Sequence, residues 1–176
     1  TYHSFECSVR CTGMECPECG DEALPFVVPL ELREHVPSSP ESVAICPTCL
    51  YFEPSESGDT ELTDFSTISD ALPDDRETAA AMTLATALMS SLARNRRHIE
   101  ALFDHVEATG VDPLLVLDRL ADDPDLRPPF NVDRRREQLL QLRDWRRRRR
   151  EEKRRTETAL RRRWSSGGCR RRRRRR

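Results

Sequence analysis

Two cysteine pairs of one pattern, Cys16-Pro17-Glu18-Cys19 and Cys46-Pro47-Thr48-Cys49, carry the chemistry this chain offers. A two-residue gap lets both thiolates of a tight turn face one point, and two such turns supply four sulfurs to a tetrahedral ion. Twenty-six residues separate Cys19 from Cys46, a span that fits two knuckles closing on one site. The spacing predicts one structural Zn2+ held by Cys16, Cys19, Cys46 and Cys49, with no coordination position left for a substrate. The competing chemistry is dithiol redox. It needs a single pair after a strand and at a helix N-terminus, where the thiolate is stabilised. Here there are two pairs, and Gly20 follows the first as a knuckle turn needs. Metal is the reading the pattern favours.

The remaining polar side chains have plainer explanations. His35 falls between the two pairs, where four sulfurs leave it no vacancy. His98 and His105 lie seven apart on one helix face, whereas helical ligand pairs are spaced three or four apart. The carboxylates Asp74, Asp75, Asp122, Asp123 and Asp125 fall at helix starts and turns, where capping and solvation account for them. No nucleophile–base signature, phosphate loop or His-Glu-x-x-His pattern occurs, so the expectation is no enzyme and no small-molecule substrate.

The cysteine pairs need elements to position them. Leu24–Leu30 and Ser42–Ile45 are short and apolar, as strands are, and Pro25 and Pro29 keep the first at an edge or a bend. Leu32–Val36 fits one helical turn, and Leu50-Tyr51-Phe52 extends the second knuckle. This is the layout of a zinc ribbon over residues 14–53, two knuckled hairpins with the ion at one end. Some forty residues bury too little apolar surface to be stable alone. The metal must close the gap, since structural zinc contributes about 10–16 kcal/mol in finger peptides.

Residues 54–73 read as an acidic linker in which Phe65, Ile68 and Leu72 can dock onto a neighbour. A helical region follows over 74–145. Met82, Ala85, Leu88, Met89 and Leu92 recur at helical spacing and continue through Ile99, Leu102, Phe103 and Val106 to Gly110. Asn95 interrupts that stripe, so residues 75–109 are either one helix or two. Asp112-Pro113 opens a short helix through Leu120, and Asn131 or Asp133 caps a last one running to about Trp145. The fold class is therefore small α+β: an N-terminal β module, a small helical bundle, and a disordered basic tail over 146–176.

Charge divides the chain. Residues 14–133 hold 25 acidic residues against 7 arginines, a net −18, while residues 134–176 carry a net +17. Lys153 is the sole lysine beside 29 arginines, which reads as a halophilic protein from a GC-rich genome or, as the plainer alternative, as an acidic mesophilic protein with a basic tail. Thr1–Gly13 shows no periodicity and reads as upstream sequence of an over-long gene model. The arginine runs read either as a genuine tail or as translation past a frameshift. No stretch reaches the roughly 20 apolar residues of a membrane helix, and none has the build of a signal peptide. The cysteines are thus expected in a reducing cytoplasm, as metal ligands.

Met-Glu-Cys-Pro-Glu-Cys-Gly at 14–20, Leu-Arg-Glu-His at 32–35 and Ala-Ile-Cys-Pro-Thr-Cys-Leu at 44–50 carry a resemblance. So do Ser91–Arg96, Gly110–Leu120 and the stretch from Asp133 to Leu139. Over about Met14 to Leu142 the chain resembles a haloarchaeal family of small, uncharacterised zinc-ribbon proteins with a domain of unknown function. The resemblance implies a zinc ribbon, a helical partner region and a halophilic host, and no reaction. The leading thirteen residues and the arginine tail depart from that pattern.

The expected role is a cytoplasmic, non-enzymatic zinc-binding protein whose helices bind another protein or self-associate. A nucleic-acid-binding accessory factor is the alternative, resting on the arginines and on the use of zinc ribbons elsewhere. Little aromatic interleaving and an acidic body weigh against it. A dithiol redox protein comes third.

Overall fold

A computed structural model describes residues 14–56 and 63–166. Four strands, β1 (Met14–Glu15), β2 (Glu22–Val27), β3 (Ser42–Ile45) and β4 (Phe52–Pro54), form one antiparallel sheet in sequence order. The register sets Leu24 opposite Ile45 and Phe26 opposite Val43. β1 pairs only with Glu22 and Ala23. Pro25, which has no N–H to give, therefore lies past the end of β1 on a free edge, as a strand proline requires. A single turn, α1 (Leu30–Arg33), crosses between β2 and β3 and buries Leu32.

The helices follow: α2 (Arg76–Leu88), α3 (Leu92–Ala108), α4 (Pro113–Ala121) and α5 (Val132–Ser166). α2 is the centre of the core. Every residue from Thr78 to Leu88 is buried, which is what a helix enclosed on all sides must tolerate. Its small Ala and Thr side chains suit that crowding, and the buried hydroxyls are satisfied inside the helix. Thr83 donates to the carbonyl of Ala79 and Thr86 to that of Met82, each at 2.8 Å. α3 buries Ile99, Leu102, Phe103 and Val106 along one stripe, and α4 buries Val116, Leu117 and Leu120.

The stretch 75–109 resolves into two helices. Met89–Ser91 form a short 3-10 turn between α2 and α3, and the Asn95 amide reaches back to donate to the Leu88 carbonyl at 3.2 Å. Asn95 occupies an apolar-stripe position because it caps the end of the preceding helix. The starts are capped as their residue types predict. Asp75 accepts from the Thr78 N–H at 2.8 Å, Asp112 from Leu114 at 2.9 Å, and Asn131 from Arg134 at 2.7 Å. Gly110 ends α3 with a φ of 89°, the left-handed geometry of a helix C-terminus.

Residues 57–62 of the predicted linker lie outside the described residues. The rest of it packs: Phe65, Ile68 and Leu72 are buried, and Phe65 meets Phe26 of β2 edge-to-face at 5.2 Å. These three apolar residues are enough to order a segment whose composition otherwise reads as linker.

The chain divides into two compact units after Arg136. The first holds the sheet, α1–α4 and the opening of α5. In the second, α5 continues beyond Trp145, where the sequence pattern ends it, through to Ser166. Pairs one turn apart, Arg148 with Asp144 at 2.6 Å and Lys153 with Glu157 at 3.9 Å, interleave opposite charge along that stretch. The expected gene-model extension (1–13) and the end of the tail (167–176) lie outside the described residues. No helix among the described residues is long and apolar enough to cross a membrane.

Candidate metal centre

The first knuckle joins β1 to β2 and the second joins β3 to β4. Their backbones repeat one another bond for bond. In the first, Cys16 N–H donates to the Asp21 carbonyl (2.8 Å) and Gly20 N–H to the Cys16 carbonyl (2.9 Å). In the second, Cys46 N–H donates to Tyr51 (2.8 Å) and Leu50 N–H to Cys46 (3.0 Å). The residue after each pair must turn left-handed, and Gly20 does so at φ 83°. Leu50 holds the same position at φ 59°, where a side chain costs about 1–2 kcal/mol. Its side chain is 3% exposed, and the burial of a leucine offsets that strain.

This repetition brings Cys16, Cys19, Cys46 and Cys49 together, their sulfurs all within 4.8 Å of one another. All four cysteines are free, and the short contacts run between knuckles. Cys19 Sγ lies 3.3 Å from Cys46 Sγ, and Cys16 Sγ lies 3.5 Å from Cys49 Sγ. Four sulfurs at about 2.3 Å from a tetrahedral ion would stand about 3.8 Å apart, so the cluster is close to the size a thiophilic ion needs. The four cysteines could hold a metal ion. Among the described residues they are the one such group of three or more metal-ligating side chains.

The electrostatics favour a cation. Burial raises the Cys49 thiol far above its ordinary range, and its sulfur neighbours add to the rise. At Cys16 burial also opposes ionisation, but the N–H groups of Cys19 and Glu18 outweigh it and hold the thiol below its usual value. The Asp21 N–H draws the Cys19 thiol down. The adjacent Cys46 sulfur and loss of water overcome that and lift it to about 11. Sulfurs this close repel one another when they carry charge. A divalent ion removes the repulsion, and the turn N–H groups already point at the sulfurs that would carry the charge. Cys49 N–H likewise approaches Cys46 Sγ at 3.5 Å.

Exposure divides the four. Cys16, Cys46 and Cys49 are at most 5% exposed, with Tyr51 packed against them, whereas Cys19 is open to solvent. Sequence spacing assigns all four alike and carries no signal of this asymmetry. A second unforeseen feature is a backbone bond from the Arg127 N–H to the Thr48 carbonyl at 2.6 Å. It ties the loop after α4 directly to the second knuckle.

The histidines stay outside the cluster. His35 faces Glu34 at 3.7 Å, His98 is half-buried on α3, and His105 reaches across from α3 to Glu77 of α2 at 3.0 Å. Among the candidate carboxylates, Asp75 caps α2 and Asp123 accepts a short hydrogen bond from Ser69. Asp123 also accepts from the N–H of Asp125 at 3.0 Å.

A family model for a family of unknown function, DUF6276, matches residues 15–143. The chain belongs to this family. The matched span takes in both knuckles and all of α2–α4, so the cysteine module and the helical body form one family unit. No curated protein and no solved structure matches the chain.

Proposed function

We propose that this DUF6276 protein is a non-enzymatic, cytoplasmic zinc-binding protein in which a structural four-cysteine zinc ribbon braces a helical body that docks another protein or a second copy. The observation that carries the reading is the convergence of four free cysteine sulfurs from two matched knuckles within 4.8 Å. Four protein sulfurs complete a tetrahedral shell and leave no open position for a substrate or a water nucleophile. Thiolate softness and tetrahedral placement favour zinc over the oxygen-seeking divalent ions. The acidic, arginine-for-lysine composition supports a salt-rich cytoplasm as the setting. In molar salt the Debye length is about 3 Å, which disfavours phosphate recognition by the arginines and favours docking through apolar contacts.

Elemental analysis of the purified full chain tests this reading. One zinc per chain is expected, with the buried Cys16, Cys46 and Cys49 unreactive towards a thiol reagent until a chelator is added. Metal-free protein with four reactive, redox-cycling thiols would replace the zinc reading with dithiol redox chemistry. Sedimentation and affinity capture in high salt then test docking, and a strict monomer with no partner removes that half.

A further inference from the structure

The four sulfurs are equivalent in sequence and unequal in space. Three are buried, with Tyr51 packed against them; Cys19 is open to solvent. The second knuckle is fastened to the body through Thr48 and Arg127, and the structure shows no corresponding tie on Pro17 or Glu18 among the described residues. An agent arriving from water therefore meets Cys19 before any other sulfur. The sulfur placed to respond is Cys46, 3.3 Å away on the opposite knuckle. A disulfide needs about 2.05 Å, so the pair must close by little more than an ångström.

We infer that Cys19 is a peroxide-modification site that resolves onto Cys46, converting the four-cysteine cluster into a cross-knuckle disulfide and releasing its metal. This rests on the zinc reading above for the release, while the cross-link rests on the sulfur geometry alone. The Cys19 thiolate attacks one oxygen of hydrogen peroxide, the O–O bond breaks, hydroxide leaves, and Cys19 becomes a sulfenic acid, oxidised by two electrons. The Cys46 thiolate attacks that sulfur, the S–S bond forms and the S–O bond breaks, expelling a second hydroxide. The two hydroxides take up two protons and become water. Peroxide is the sole oxidant and is fully reduced. Cys16 and Cys49 remain as thiolates, two ligands in place of four, and a structural ion is no longer enclosed.

The test uses the full chain as isolated, with its metal content measured first. Substoichiometric peroxide is added, zinc release is followed with a chelating dye, the sulfenic acid is trapped with a cyclic 1,3-diketone, and disulfides are mapped by peptide mass spectrometry. The trap is expected on Cys19, the cross-link between Cys19 and Cys46, and one zinc released per disulfide. The variant C19H keeps a nitrogen ligand for zinc and removes the accessible sulfur. It should release zinc about tenfold more slowly, because only buried sulfurs remain. A trap first on Cys16, Cys46 or Cys49, a cross-link within one knuckle, or C19H releasing zinc at the parent rate each overturns the proposal. If the isolated chain holds no metal, the zinc reading fails separately. Trap and cross-link positions on that metal-free protein still decide whether Cys19 and Cys46 are the reacting pair.

Discussion

Gly20→Ala is the sharpest probe of how the knuckle backbone supports metal affinity. Gly20 has φ 83°, and a β-carbon built there meets no atom within 4 Å, so the substitution adds strain without a clash. The cost is that of placing an L-residue left-handed, about 1–2 kcal/mol. The knuckle must adopt this turn for Cys16 and Cys19 to face an ion, so on the proposed zinc reading the cost falls on metal binding. It converts to a zinc affinity weaker by about 5- to 30-fold, at tenfold per 1.4 kcal/mol. Gly20→Asn should lose less, because asparagine tolerates the left-handed region better than alanine. Leu50→Ala at the matching position of the second knuckle keeps the strain and loses a buried leucine, so it should cost more than either, about 2–5 kcal/mol. Chelator competition on the full chain ranks the three. An alanine variant that binds zinc like the parent, or one indistinguishable from asparagine, would refute the conformational argument.

The other expectations concern the body and its link to the cluster. Asp75→Asn should destabilise the protein above pH 4 and progressively less in acid. The Thr78 hydroxyl and N–H lower the folded carboxyl below its ordinary 3.8, so its contribution is present above that value and is lost as pH falls through the folded one; urea melts across pH 2–6 would show it. Asn95→Ala removes the bond that closes the end of α2 on Leu88 and should lower stability by about 1 kcal/mol in the same assay. Zinc removal by chelator should erase amide protection in β1–β4 and also at Arg127, whose N–H is held by the second knuckle; hydrogen exchange that changes only within residues 14–56 would disprove the coupling.

The cysteine cluster was legible because its determinants are local: a two-residue gap and a turn residue suffice to aim two sulfurs. The helix caps were legible for the same reason, since Asp75, Asp112 and Asn131 bond within three residues of themselves. What the sequence concealed depends on distant partners. The burial of eleven consecutive residues in α2 reflects helices on several sides, which a period of 3.6 in one segment does not report. Asn95 reads as a flaw in a stripe until its bond to Leu88 is seen. β1 leaves no sequence signal, because two residues carry no periodicity and it exists only by pairing with Glu22 and Ala23. The exposure of Cys19 alone among four like cysteines is likewise a property of what surrounds it.

The bond between Thr48 and Arg127 bears on the order in which the molecule is made. Both cysteine pairs have been synthesised by residue 49, whereas the N–H that fastens the second knuckle belongs to a residue 79 positions after Thr48. At about 5–20 residues per second, several seconds of translation separate the two events. During that interval the sheet has its sulfurs but neither Phe65 to pack on Phe26 nor Arg127 to anchor the second knuckle. Whatever holds the nascent module together must come from the cluster itself, so early metal capture would set the template on which the helices later assemble.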